Sequence, residues 1–152
     1  MIQRIQSLFL FFALIITGSL FFLNMAELVN TSESYALIYK GVISIEETSS
    51  TAMPALALNI LLVLAVAITA ITIFMYKKRI LQIRLCALNM GLHAGLSVMI
   101  FYFGKTAAKE LLAELSFNWP LILPLVSLIL IFLSLRAIGK DEALVRSLNR
   151  IR

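Results

Sequence analysis

Asn89, His93 and Ser97 recur every four residues, which on a helix stacks an amide, an imidazole and a hydroxyl on one face. His93 is the only histidine and Cys86 the only cysteine, so the inventory of reactive groups is short. A histidine inside an apolar run is a functional candidate by default. Haem ligation would need a second axial ligand, Met90 or Met99 here, or a second copy of the chain. A Ser97 and His93 hydrolytic pair would need an orienting group and oxyanion donors, and no residue pattern marks either. The single cysteine excludes an intrachain disulfide, a CxxC redox pair and an all-cysteine metal site, and with them the thiol oxidases that act through cysteine pairs. No catalytic residue, cofactor or metal is expected. The expected role of His93 is an interhelical hydrogen bond, with Asn59, Thr69 or Thr72 as candidate partners, worth about 0.6 to 2 kcal/mol.

A second use of the same face is to line a path through a small homo-oligomeric channel or carrier. Ion-coupled carriers place a carboxylate inside the membrane, and the apolar runs of this chain contain none. On roughly the opposite face, Ala87, Gly91 and Gly95 also recur every four residues, a small-residue pattern that permits close approach of another helix.

These faces need elements to carry them, and composition says where those elements sit. The chain has 152 residues, 61% of them apolar and 14% charged; its mean hydropathy is +0.99. A water-soluble domain is about half apolar and a quarter charged, so this is the composition of an integral membrane protein with a single domain, residues 1–152. A helix needs about 20 apolar residues to cross a bilayer. Uncharged runs near that length cover residues 7–23, 54–76, 85–103 and 119–135. The first, at 17 residues, exceeds the roughly 7 to 15 of a signal-peptide core and lacks a cleavage site, so it is read as a retained span.

Charge orients these spans. One side of them takes Arg4, Lys77, Lys78, Arg79, Arg84, Arg136, Lys140, Arg146, Arg150 and Arg152 against Asp141 and Glu142, a net +8. The other takes Lys40, Lys105 and Lys109 against six glutamates, a net −3, and the two sides together give the formal +5. The positive-inside rule then places both termini in the cytoplasm. Because the basic residues hug span ends, the high pI reports orientation rather than nucleic-acid binding. Arg4, Lys77, Lys78, Arg79, Arg84, Arg146, Arg150 and Arg152 are the candidate contacts to anionic lipid headgroups.

Outside the spans, residues 24–53 form the only sizeable loop. Within it residues 35–45 read as a small β-hairpin around Lys40 and Gly41, followed by a polar connector and by Pro54 in the first turn of the next helix. Residues 104–118 read as an interfacial helix or an extension of the third span, closed by Asn118, Trp119 and Pro120 as cap, anchor and first-turn proline. Gly139 reads as a helix stop before a C-terminal basic amphipathic helix in the tail, residues 136–152. The expected fold is therefore an all-α four-transmembrane-helix bundle with a small extracytoplasmic hairpin.

The chain resembles a known family in three stretches: residues 1–10 (MIQRIQSLFL), 77–84 (KKRILQIR) and 140–152 (KDEALVRSLNRIR). They are similar to an uncharacterised bacterial family of four-span inner-membrane proteins classed as a domain of unknown function. The resemblance implies a topology but no activity, substrate or site residue. What remains is an expectation of a non-catalytic structural or accessory subunit, with a membrane-protein partner or a second copy seated on the hairpin or the basic tail.

Overall fold

The structure, a computed structural model, describes residues 3–30, 33–45, 51–76 and 78–149. Helix α1 (Gln3–Ser19) leads into strands β1 (Ala26–Val29), β2 (Ser34–Ile38), β3 (Gly41–Ser44) and β4 (Thr51–Pro54). Helices α2 (Leu56–Phe74) and α3 (Arg79–Glu110) follow, then β5 (Glu114–Phe117), a 3-10 turn (Trp119–Ile122) and α4 (Leu123–Asn149). By chain order, every helix end except the α2–α3 connection and the two chain ends meets the sheet. The molecule is a helix layer capped at one end by β-structure.

Three segments are long and apolar enough to cross a membrane: Leu56–Phe74, Arg79–Glu110 and Trp119–Val145. The apolar part of α1, Ile5–Ser19, is shorter, and the chain turns after Thr17 through three tight backbone bonds instead of continuing to residue 23. Each helix turns one narrow stripe inward. On α3 that stripe is Gln82, Cys86, Asn89, His93, Leu96, Ile100, Gly104 and Ala107, spaced three or four apart. The outward surfaces carry large exposed side chains such as Phe11, Phe12, Ile60, Leu88, Val98 and Phe132. An apolar surface this continuous suits lipid rather than water.

The expected all-α bundle with only a hairpin is corrected by the sheet. Five antiparallel strands form it, in the order β4-β3-β2-β1-β5. The hairpin is real, with Ile38 opposite Gly41, but it is the middle of a larger structure. Val29 pairs with both Ser34 and Glu114, so β1 is an interior strand, and the end of the segment read as an interfacial helix or an extension of the third span supplies the edge β5. Two strands alone are marginal in water, and five with one face on an apolar layer are not. That layer joins Met25, Ala26, Leu28, Leu37 and Val42 of the sheet region to Leu20, Leu58, Leu62, Leu96 and Ile100 of the helix ends.

Two boundaries differ, at Pro54 and Gly139, while α3 takes the extension expected of the third span as far as Glu110. Pro54 ends β4 opposite Gly41 instead of opening α2; on an edge strand its missing N–H costs no ladder bond. α3 runs 32 residues, about 48 Å, so its last turns rise past a hydrocarbon core of about 30 Å. Gly104 lets Phe117 lie against that extension, since a Cβ there would meet the ring at 2.9 Å. Gly139 does not stop a helix: α4 continues through it to Asn149. The polar connector at 46–50, Lys77, Arg150 and Arg152 lie outside the described residues, as do the side chains of Arg4 and Arg146.

Candidate functional site

Five buried polar residues of the helices form a layer between two apolar clusters. Leu10, Ala13, Cys86, Ile131 and Ile138 form the apolar cluster away from the sheet. Between it and the sheet-side cluster lie Thr17, Thr69, Asn89, His93 and Ser127, all with no exposed surface.

His93 is the centre of this layer. Its Nδ1 lies 2.9 Å from the carbonyl of Asn89, and Nε2 lies 2.9 Å from the Thr17 hydroxyl on α1. A carbonyl only accepts, so Nδ1 carries the proton, and Nε2 of the neutral ring is an acceptor facing Thr17. Ser127 on α4 sits 3.0 Å from the Thr17 oxygen. The single Thr17 proton has three acceptors within reach, the carbonyl of Ala13 at 2.8 Å, His93 Nε2 and Ser127 Oγ, and the chain of contacts runs from α4 through α1 to α3. On the other side, the Asn89 amide donates to Thr69 Oγ1 on α2 at 2.7 Å, while Thr69 donates to the carbonyl of Ala65. All four helices are thus tied in one plane. Sliding any helix by a turn would strand these groups in apolar surroundings, so the layer sets the helix register.

Of the sequence-derived face, Asn89 and His93 point into the chain's own core. Ser97 is half-buried and donates to the carbonyl of His93 at 3.0 Å. Thr69 is the partner of Asn89, whereas His93 reaches Thr17 rather than Asn59, Thr69 or Thr72. Thr17 stands near Ser19 in its apolar run with no helical spacing between them, whereas Ser127 and Ser134 lie seven residues apart, two helical turns, and share the buried face of α4. On the small-residue face, Ala87 and Gly91 are exposed. A Cβ on Gly91 would meet nothing, and one on Gly95 would meet Leu61 of α2 at 3.7 Å.

Asn89 Oδ1 is buried with no hydrogen-bond partner. The cause is local: Thr69 has spent its proton on Ala65, so it can only accept, the amide nitrogen must face it, and the oxygen is left over. Asn89→Leu is therefore expected to change stability by less than about 1 kcal/mol, since the lost bond and the relieved acceptor offset each other. Reversible unfolding in detergent checks this; a loss above about 2 kcal/mol would show that Oδ1 has a partner.

At the end away from the sheet, Gln6 donates through Nε2 to the Asp141 carboxylate, Ser134 donates to the carbonyl of Gln6, and Arg79 reaches the carbonyl of Asp141 at 3.5 Å. These contacts clamp α1 to α4 and bring the start of α3 beside them. Lys78, Arg79 and Arg84, with Ile80, Leu81 and Glu142, border an open groove of about 450 Å³. Among the described residues no cluster of His, Cys, Asp and Glu has metal-binding geometry.

The model of one protein family, described as a domain of unknown function (DUF4293), matches residues 2–151. No curated protein matches the chain.

Proposed function

We propose that this chain, which belongs to the DUF4293 family of unknown function, is a non-catalytic structural or accessory subunit of a bacterial inner-membrane assembly. The sheet carries this reading. It is built from five strands drawn from two distant stretches of chain, 26–54 and 114–117, it is braced on the helix ends, and among the described residues both edge strands, β4 and β5, pair on one side only. An open edge held rigidly at the membrane surface offers main-chain bonds to a partner strand. The exposed positions of β1 and β5, Glu27, Val29, Glu114 and Ser116, add acidic charge to that seat.

In this reading the sheet lies outside and both chain ends in the cytoplasm, with Lys78, Arg79 and Arg84 against anionic headgroups. A reporter at Lys40 is expected to be external and one at Lys78 cytoplasmic; the reverse pattern overturns the orientation. The accessory role is tested by mass spectrometry of the protein taken from its native membrane in mild detergent at native expression. A stoichiometric second protein is expected. The chain recovered only with copies of itself would favour a homo-oligomer and contradict the role.

A further inference from the structure

A further groove lies at neither the polar layer nor the basic end. It runs along the outer part of α3 beside β5, has a volume of about 1060 Å³, and is open along one side. Its lower walls are Val98, Phe101 and Tyr102, all exposed on the lipid-facing side of α3, with Leu115 of β5 across from them. Its upper end carries Lys105 and Lys109, with Glu110 at the rim. Lys105 lies over the Phe101 ring, 4.7 Å from its centroid, and Phe101 stacks on Phe117 of β5 at 5.4 Å. The stacked pair and the close approach at Gly104 fix β5 against α3 and form the groove's wall.

Two properties of this groove identify its occupant. The first is an apolar-to-cationic gradient: from Val98 to Lys109 the helix rises about 16 Å, comparable with one leaflet of a hydrocarbon core of about 30 Å. The second is charge. The sheet side of the protein has three lysines against six glutamates, and two of those lysines line this one groove. The geometry points to a phospholipid site of the outer leaflet, with an acyl chain along Val98, Phe101 and Leu115 and an anionic headgroup held by Lys105 and Lys109. The site rests on the membrane placement proposed above and not on the accessory role.

Native mass spectrometry of the full chain in mild detergent tests it, with phosphatidylglycerol, phosphatidylcholine and glycerol 3-phosphate as probes. One phosphatidylglycerol per chain is expected, retained about tenfold better than phosphatidylcholine. Lys105→Gln with Lys109→Gln is expected to abolish that preference, and Ala108→Phe, which projects into the groove, to displace both lipids. Unfolding curves verify that each variant is folded. Equal retention of the two lipids, or a preference that survives the double lysine variant, overturns the proposal. So does a preference lost only in Lys78→Gln with Arg84→Gln, which moves the lipid to the opposite end. Glycerol 3-phosphate binding as well as the whole lipid would mean that no acyl chain is held. A reporter at Lys40 facing the cytoplasm would overturn the placement alone, leaving the lipid preference to be read separately.

Discussion

Replacing Gly41 by alanine is expected to destabilise the sheet by about 2 to 4 kcal/mol. Gly41 opens β3 directly after the Tyr39–Lys40 turn with φ +138°, a backbone conformation that side chains rarely adopt. A Cβ there would lie 2.1 Å from the Met53 carbonyl oxygen, 2.9 Å from the Ala55 nitrogen and 3.0 Å from the Pro54 Cα. All three are backbone atoms, so nothing flexible can yield. The same neighbourhood holds the bond from Ala55 N–H to the carbonyl of Lys40, which closes the sheet onto the start of α2. Hydrogen exchange in the folded variant is expected to rise in β3 and β4 first, with the helix layer protected. Gly139→Ala is the matched control: a Cβ there meets nothing, and removing a mid-helix glycine is expected to add about 0.5 to 1 kcal/mol. Equal effects at the two positions would contradict the sheet's closure on α2.

His93→Ala is expected to cost about 3 kcal/mol, the largest single loss in the helix layer. The substitution empties the space of a fully buried ring and leaves the Thr17 hydroxyl without its acceptor on α3. Thr17→Val conserves shape and removes the same bond from the other side, at about 1 kcal/mol. In the double variant the bond can be lost only once, so the two effects are expected to fall short of additivity by about 0.5 to 1.5 kcal/mol. Strict additivity in reversible unfolding would show that the imidazole and the hydroxyl do not interact. The contrast with Asn89→Leu separates the layer's members: one is a bonded hub and the other carries an orphaned acceptor.

The helices were legible because periodicity repeats along them. Asn89, His93 and the apolar stripe of α3 obey a 3.6-residue period over many turns, so their shared inward face follows from spacing alone. The sheet beyond its β2–β3 hairpin was not legible, for three separate reasons. Strand β1 is four residues with a single alternation, Ala26 and Leu28 in, Glu27 and Val29 out, too short for a period of two to stand clear. Strand β5 shares its segment with Leu111 and Leu112, whose spacing to Leu115 imitates a helix. The break between them falls at Leu112, a non-glycine residue at φ +48°, where neither glycine nor proline marks it. Pro54 gave a false sign in the other direction, since a first-turn proline and an edge-strand proline look alike in sequence.

The candidate site was half legible for the same reason. Period places Asn89 and His93 on one face but cannot say which helix that face meets. The Thr17 and Ser127 partners depend on the side-by-side packing of α1 with α4 and of α4 with α3, which no local pattern encodes. The same packing turns Gly139 from an expected stop into one more residue of a long helix, continuing α4 to Asp141, where Gln6 holds it.

The proposed accessory role needs the sheet to be the seat of a partner. A photoreactive residue at Ser116, exposed on the edge strand β5, tests this in the native membrane, with one at Ile129, exposed on α4, as the comparison. The account predicts that Ser116 links to one protein of defined mass while Ile129 links to lipid alone. Protein adducts from Ile129 with none from Ser116 would contradict it.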